Sequence, residues 1–558
     1  MKTFINVAQM KLASLKEGQF VETGGYYTKG DAGQAKYLIV AAQAADGYGD
    51  HTLVNGTVAV LQVGNIINPA QWGVNGTSDA ATMQVIVDTI PDYTVIDASK
   101  LSIDMDALVT ITSKNNITIQ NGRWHWNHQG NNMIALSGTL ASPKFKSMTC
   151  VGNDDIFQPL GCIGCANGTV TTDWVVDDCT FDKLPFGVYI NADTSGSHTN
   201  PYVSNSTFSN AKRYASDSSS GSGLGLVFAG NIIGGKSSLN TFDGNGRHGL
   251  YVANGGNVTS LSDTFLNHRK PDGSALVVEL GAMQISRSSD NVNVISPRFV
   301  NSYDTALSIT PVQTLGVDTP QTNVKVLAPV FEGNRVRHIR IGSDTPSVNG
   351  VLSSVSILSP SFTVDANAAA DLIDVLSGYS VKIKDVTLDI GTSSFDRQVV
   401  RVFGFGTVGE FNRLTIDGID GDTVTNYVAL DDRVVTGAAV VKIRNVKSVT
   451  YGVAITNVNL DLEPNIKGGN FSDPNGNIVG QTGAIYLSGS GGPDATLWVK
   501  LSLSGNVGWV AFTQKSGHWS NPLQLNDSYL WTNGGILYIK VTSVPTGPTD
   551  GVVVGTQT

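Results

Sequence analysis

The chain has 558 residues, a formal net charge of −10, 62 glycines and only 15% charged residues. The negative balance argues against nucleic acid or an anionic membrane surface as general partners, and there is no unbroken apolar run long enough to cross a bilayer. So few charges suit a body whose repeating units bury one another. The cysteines Cys150, Cys162, Cys165 and Cys179 lack the second pair that a structural zinc site needs, so they read as small buried hydrophobes.

The opening MKTFINVAQMKLASLKEGQF lacks the apolar core of a signal peptide. Residues 1–65 read as a small β domain in which FVETGGYY and AKYLIVA alternate between the turns TKGDAGQ and ADGYGD. Residues 66–110 read as a connector and capping helix: Ser78 or Asp79 caps a helix that runs to about Ile90, and Pro91 stops it. Laid over the first coil, such a helix shields an apolar end that a terminal repeat would otherwise expose.

NNITIQNG at 115–122 is the first obvious coil, followed by RWHWNHQGNN. His125 and His128 have HxxH spacing but no third ligand at a convincing offset, so no metal is expected. Trp124 and Trp126 read as loop or rim aromatics.

Between Trp174 and Gly342 one phrase repeats. VVDDCTF, YVSNSTF, SSLNTF, SLSDTF, VISPRF, VLAPVF and ILSPSF end on Phe181, Phe208, Phe242, Phe265, Phe299, Phe331 and Phe362. The spacings are uneven, which rules out a rigid helical repeat. A second alternating segment follows each of the first six: GVYIN at 187, GLVFA at 225, GLYVA at 249, ALVVE at 275, ALSIT at 306 and HIRIG at 338. Alternation sends Leu250 and Val252 inward and Tyr251 and Ala253 outward, with Tyr189, Val277, Glu279, Ser308 and Arg340 outward at matching positions. One coil cannot bury its own apolar face, so coils stack. The expected fold is all-β: a right-handed parallel β-helix over residues 111–468, with VKIKDVTL, FNRLTIDGI and AVVKIRNV continuing it. The later coils, from about 380 to 460, read as mainly structural. Residues 469–558 alternate strongly between Gly-rich turns and carry Trp498, Trp509, Trp519 and Trp531, the pattern of a separate β-rich region.

Three strings resemble one family. ETGGYYTKGDAGQAKYLIV is similar to the small domain that precedes the β-helix in bacteriophage tailspikes and capsule or O-antigen depolymerases. WGVNGTSDAA resembles the cap of the same proteins, with Asn75 and Ser78 in place of commoner residues. LWTNGGILYIKVTSVPTGPTDGVVVGTQT resembles the C-terminal tail of many capsule depolymerases. The resemblance implies a homotrimer held partly by the C-terminal region, a place in the virion tail beside other tail proteins, and a bacterial surface polysaccharide as the bound partner, with no cofactor. The longer virion-anchoring part often found upstream is expected to be missing, either from a shortened form or because the chain docks on another tail protein.

A stacked face with rungs about 4.8 Å apart can follow an extended polymer. Tyr189 and Tyr251 are expected on its floor, Trp126 is a candidate for stacking on sugar, and Arg247, His248, Arg269 and Arg340 form a basic band suited to carboxylated sugars. Glycosidic hydrolysis needs two carboxylates. Glu279, expected outward above a floor of Ala253, Ala229 and Thr310, ranks first with Asp243. Asp182, Asp304 and Glu332 follow. Asp182 and Asp243, two coils apart in one column, are expected about 9.6 Å apart, near the separation used by inverting enzymes. The leading reading is an endo-glycosidase that cuts capsule, O-antigen or exopolysaccharide. A lyase on the same scaffold would use His248 as base and an arginine to stabilise charge, and a third reading is an adhesin that binds glycan without cleaving it.

Overall fold

The computed structural model describes residues 1–128 without a break and most of 132–446, leaving out 129–131, 154–160, 194, 212–221, 254, 269–280, 287–288, 303–304, 311–321, 335–336, 343–353, 365–370, 377–379, 390–394, 403–412, 421–423 and 431–438; beyond 446 it describes strand segments. Residues 1–61 contain a five-stranded sheet and a short helix, Val7–Lys11, capped by the Asn6 side chain, which accepts from the Gln9 amide at 2.9 Å. The GYYTKGD string is a turn built around Asp31. Its carboxylate accepts from the backbone amides of Tyr26, Tyr27, Thr28 and Gly33 at 2.7–3.0 Å. Partial burial pushes its pKa up, but these four donors outweigh that and hold it low. Tyr27 Oη then donates to the Gly73 carbonyl at 2.8 Å, which ties this domain to the start of the β-helix.

The alternation read in the sequence becomes a parallel β-helix. A 25-stranded sheet takes mostly two short strands from each coil and a 13-stranded sheet takes one longer strand. We call them the corner sheet and the groove sheet. The phenylalanines that end the repeats stand one above another inside the solenoid, with ring centroids 4.7–5.0 Å apart and planes within 8–14°. Each ring covers the next, so one aromatic column fills the axis of seven coils. Gly187, Gly225 and Gly249 lie against it: a Cβ on Gly187 would come within 2.5 Å of Phe208, so no larger residue fits there.

The helix Ala80–Thr89 forms where it was expected, but its cap differs. Ser78 adopts a left-handed φ of 49°, and Asp79 turns away to accept from the amides of Asn75, Gly76 and Asp104 at 2.9–3.0 Å. The free Ala80 amide donates instead to Asp106 at 3.3 Å. Gln84 bonds both the amide and the carbonyl of Thr110, at 2.8 and 3.0 Å, on the first groove strand, Val109–Thr112. The ladder already includes Val95–Asp97 and Ser102–Met105, one coil before NNITIQNG.

Two expectations are corrected. Trp124 and Trp126 are not rim aromatics: the strand Arg123–Trp126 alternates, and both indoles are 0% exposed in the core. The second concerns the rung above Tyr251, which the alternation assigns to ALVVE at 275–279. That rung is Gly281–Ser286, pairing Tyr251 with Gln284 and Ala253 with Ser286. Glu279, expected outward on that rung, lies outside the described residues, as do Val277, Arg269 and Asp304. Beyond the solenoid, the described strands from Ile466 to Thr556 form two four-stranded sheets.

Candidate functional site

The outer face of the groove sheet carries one column in register: Tyr189, Val227, Tyr251, Gln284, Ser308, Arg340, Asp374 and Arg401. Strand alternation puts these side chains on the face opposite the core that Val188, Leu226, Leu250, Met283, Leu307 and Ile339 fill, and of the column Val227, Gln284, Ser308, Arg340 and Asp374 are themselves buried. The face has an aromatic half and a charged half.

In the aromatic half, Phe186, Leu224 and Val227 form a small apolar cluster with half-buried Tyr189 and Tyr251 packed against it. The two expected tyrosines therefore share one floor. Tyr251 Oη accepts from Ser286 Oγ at 2.9 Å, and its ring stacks on His248 with centroids 5.3 Å apart and planes 13° from parallel. His248 is 3% exposed, and its Nδ1–H donates to the Gly281 carbonyl at 2.6 Å, which fixes the tautomer. Gln284 donates to Thr310 Oγ1 on the next coil. Arg247 is half-buried beside this group, and its carbonyl accepts from His268 Nε2 at 2.6 Å.

The charged half contains the residues that sequence reasoning missed. Asp374 is 4% exposed and sits between Arg340 and Arg401 in register. Its Oδ2 accepts from Arg337 Nε at 2.9 Å, and among the described residues Oδ1 has no hydrogen-bond partner. Burial, with the neighbouring Asp371 charge, pushes its pKa up to about 6 against the pull of Arg337, Arg401 and Arg340. Asp371 accepts from Arg401 Nη1 at 3.2 Å and from the Gln398 amide at 3.0 Å. Arg340, expected in a basic band suited to carboxylated sugars, is 2% exposed, and burial lowers its pKa to about 10. The signal available in sequence was a pair of aspartates inside the otherwise apolar string AADLIDVL.

The other carboxylate candidates lie elsewhere. Asp182, Ser209, Asp243, Leu266, Val300 and Glu332 do form one column, as expected, but on the corner sheet. Asp182 accepts from Ser209 Oγ and Asn210 Nδ2 at 2.8 and 2.9 Å, and Asp243 from Asn267 Nδ2 at 2.9 Å. Glu332 takes both Nε and Nη2 of Arg298, at 3.1 and 2.6 Å. Each is bonded to a neighbouring coil.

Among the described residues no cluster of three or more His, Cys, Asp or Glu side chains could hold a metal. Cys150, Cys162, Cys165 and Cys179 are free, and all but Cys165 are buried. No described helix is long and apolar enough to cross a membrane.

No protein-family model matches the chain, and no curated protein matches it. Among solved structures, the gp42 tailspike of Acinetobacter phage vb_AbaP_AS12 aligns with 96% of this chain and 91% of its own, with a TM-score of 0.51 at 14% identity. Tailspike protein 2 of Escherichia coli O157:H7 bacteriophage CAB120 aligns with 97% of this chain and 75% of its own, with a TM-score of 0.42 at 9% identity. The gp49 tailspike of Acinetobacter baumannii bacteriophage Fri1, described as a capsular polysaccharide depolymerase, aligns with 83% of this chain and 75% of its own, with a TM-score of 0.34 at 12% identity. The first likeness spans nearly the whole of both chains and gives the fold: this chain is built as a bacteriophage tailspike is, around a parallel β-helix.

Proposed function

We propose that the chain is a tailspike depolymerase that binds a bacterial surface polysaccharide along the groove sheet and hydrolyses it within the polymer. The observation that carries the reading is one outward column running from an aromatic floor into a buried pair of aspartates. Sugar rings present apolar faces that suit the half-buried Tyr189 and Tyr251. Asp374 is the proton donor to the leaving glycosidic oxygen: its raised pKa keeps a proton available, and its Oδ1, which has no hydrogen-bond partner among the described residues, is the atom that delivers it. Asp371, oriented by Arg401, is the second carboxylate. By the same reading the protein works as a homotrimer at the phage tail, acting on the host surface alongside other tail proteins.

The test is a panel of purified surface polysaccharides read by fragment mass. The wild type releases oligosaccharides with new reducing ends, and Asp374→Asn loses about 100- to 10,000-fold in kcat while still binding polymer. Full turnover by Asp374→Asn removes it from catalysis. Failure of the wild type to cut any polymer that it binds leaves the adhesin reading.

The stacked His248–Tyr251 pair favours one alternative, a lyase in which these two residues move the proton beside a uronate. It requires unsaturated, ultraviolet-absorbing products, and loss of activity in His248→Gln but not in Asp374→Asn. Glu279 and Asp304 remain candidates for the same substitution series.

A further inference from the structure

The apolar patch on the groove sheet is bounded at both ends. It occupies the rungs Phe186–Ala192, Leu224–Gly230 and His248–Ala253, about 10 Å along the solenoid at about 4.8 Å per rung. On the rung before it, Gly161 pairs with Phe186, and the Asn132 side chain fills the space over Gly164, where a Cβ would meet its amide nitrogen at 2.7 Å. On the rung after it stand the buried Gln284 and Ser286. Buried amides and a hydroxyl therefore close a short apolar field.

Within that field Phe186, Leu224 and Val227 are buried, so the surface that a ligand meets is made by Tyr189, Ala229 and Tyr251. A ring stands at each end, and the rung between them carries the small Ala229. Both rings are held by their own chain. Tyr189 stands edge-on to Phe186 with centroids 5.2 Å apart, and Tyr251 lies against His248 while its Oη accepts from Ser286. Rings fixed before a ligand arrives lose little freedom on binding it. Two flat faces on a short apolar floor match the apolar faces of pyranose rings.

The field does not run on into the aspartate pair. From Tyr251 the column passes through Gln284, Ser308 and Arg340, which are 6%, 1% and 2% exposed, before it reaches Asp374. Four rungs separate Tyr251 from Asp374, about 19 Å, and six separate Tyr189 from it, about 29 Å. No mono- or disaccharide reaches across that span. A longer glycan does.

We propose that Tyr189 and Tyr251 form an anchoring site for pyranose rings, separate from the aspartate pair, so that one glycan of several sugars is held at the tyrosines while it is cut at Asp374. The proposal rests on the reading of the groove sheet as the glycan face and adds a second, non-catalytic site to it. Two weak sites that share one ligand reinforce each other through effective concentration, so affinity depends on the length of the glycan.

The test uses the full chain carrying Asp374→Asn, the surface polysaccharide that it retains, and size-fractionated fragments of that polymer made by mild acid. Initial binding curves give the affinity for each length. Affinity rises at least about 10-fold at the fragment length that first spans both sites. Tyr189→Leu and Tyr251→Leu, apolar but without a ring face, each weaken the binding of long fragments about 10-fold, with unchanged circular dichroism. Tyr251→Phe, which keeps the ring, retains the rise. An affinity already full at one or two sugars overturns the proposal, and so does a rise that survives both leucine substitutions. Because binding is read rather than turnover, cleavage by the wild type without any length dependence would leave the polysaccharide reading standing and remove the anchor. Binding of no glycan would overturn both.

Discussion

The carboxylates of the corner sheet and those of the groove sheet come from the same repeat, yet the neighbouring coils treat them differently. Asp182, Asp243 and Glu332 are each met by a donor from an adjacent rung, Ser209 and Asn210, Asn267 and Arg298, so they join coil to coil. Asp374 has arginines around it but is buried, and it keeps one oxygen without a partner among the described residues. A carboxylate already bonded along the ladder is part of the scaffold. One held dry and incompletely bonded has a proton to give.

The comparison breaks most easily through activity. Asp374→Asn is expected to lose about 100- to 10,000-fold in kcat, whereas Asp243→Asn, which keeps an acceptor for Asn267, should stay within about twofold of wild type. Steady-state kinetics on a cleaved polysaccharide checks both, and comparable losses in the two variants would erase the distinction.

Next in size is the scaffold itself. Phe265→Ala removes one ring from the stack, where it lies 4.9 Å from Phe242 and 4.7 Å from Phe299. It should cost about 3–5 kcal/mol, seen as a lower denaturation midpoint, because a rigid ladder cannot close over the gap.

Acid should sharpen the account of the groove side. His338 is fully buried between Phe331 and Phe362, beneath the charged half, and burial lowers its pKa to about 3. The unfolded chain takes up its proton near the ordinary histidine value, so stability is unaffected above about pH 6.5 and falls by about 1.4 kcal/mol per unit as pH drops toward the folded value. His338→Leu should flatten that acid limb in urea unfolding measured from pH 7 to pH 4.5. An unchanged limb would show that other groups govern it.

The smallest effect belongs to the corner. Asp182→Ala gives up two part-exposed hydrogen bonds and should cost about 0.5–1.5 kcal/mol, with no loss of activity.

The sequence made the corner more legible than the groove. Phe181 through Phe362 recur at the ends of recognisable strands, and an inward aromatic repeated on every coil can hardly do anything but stack. Tyr189 and Tyr251 were placed on the outer face for the same reason, by alternation. The slip came at 275–286, where ALVVE and GAMQIS alternate equally well. The pairing of Tyr251 with Gln284, and of Gln284 with Ser308, decides between them, and that depends on the coils above and below. Trp124 and Trp126 alternate with Arg123 and His125 on one short strand, but the HxxH spacing of His125 and His128 overlies that pattern and gives the segment the look of a loop. Asp371 and Asp374 lie between the repeats that run to Gly342 and the coils from about 380 that read as structural, and nothing in AADLIDVL shows that three arginines from other coils converge on it.

The central claim is that Asp374 donates the proton, and the most direct measurement is the pH dependence of kcat/KM in the wild type and in Arg337→Gln. With Asp374 titrating at about 6, activity should fall above that pH. Because the Arg337 cation holds the value down, its removal should move the falling limb upward. A wild-type profile flat through neutral pH, or a limb that stays in place when Arg337 is replaced, would contradict the assignment.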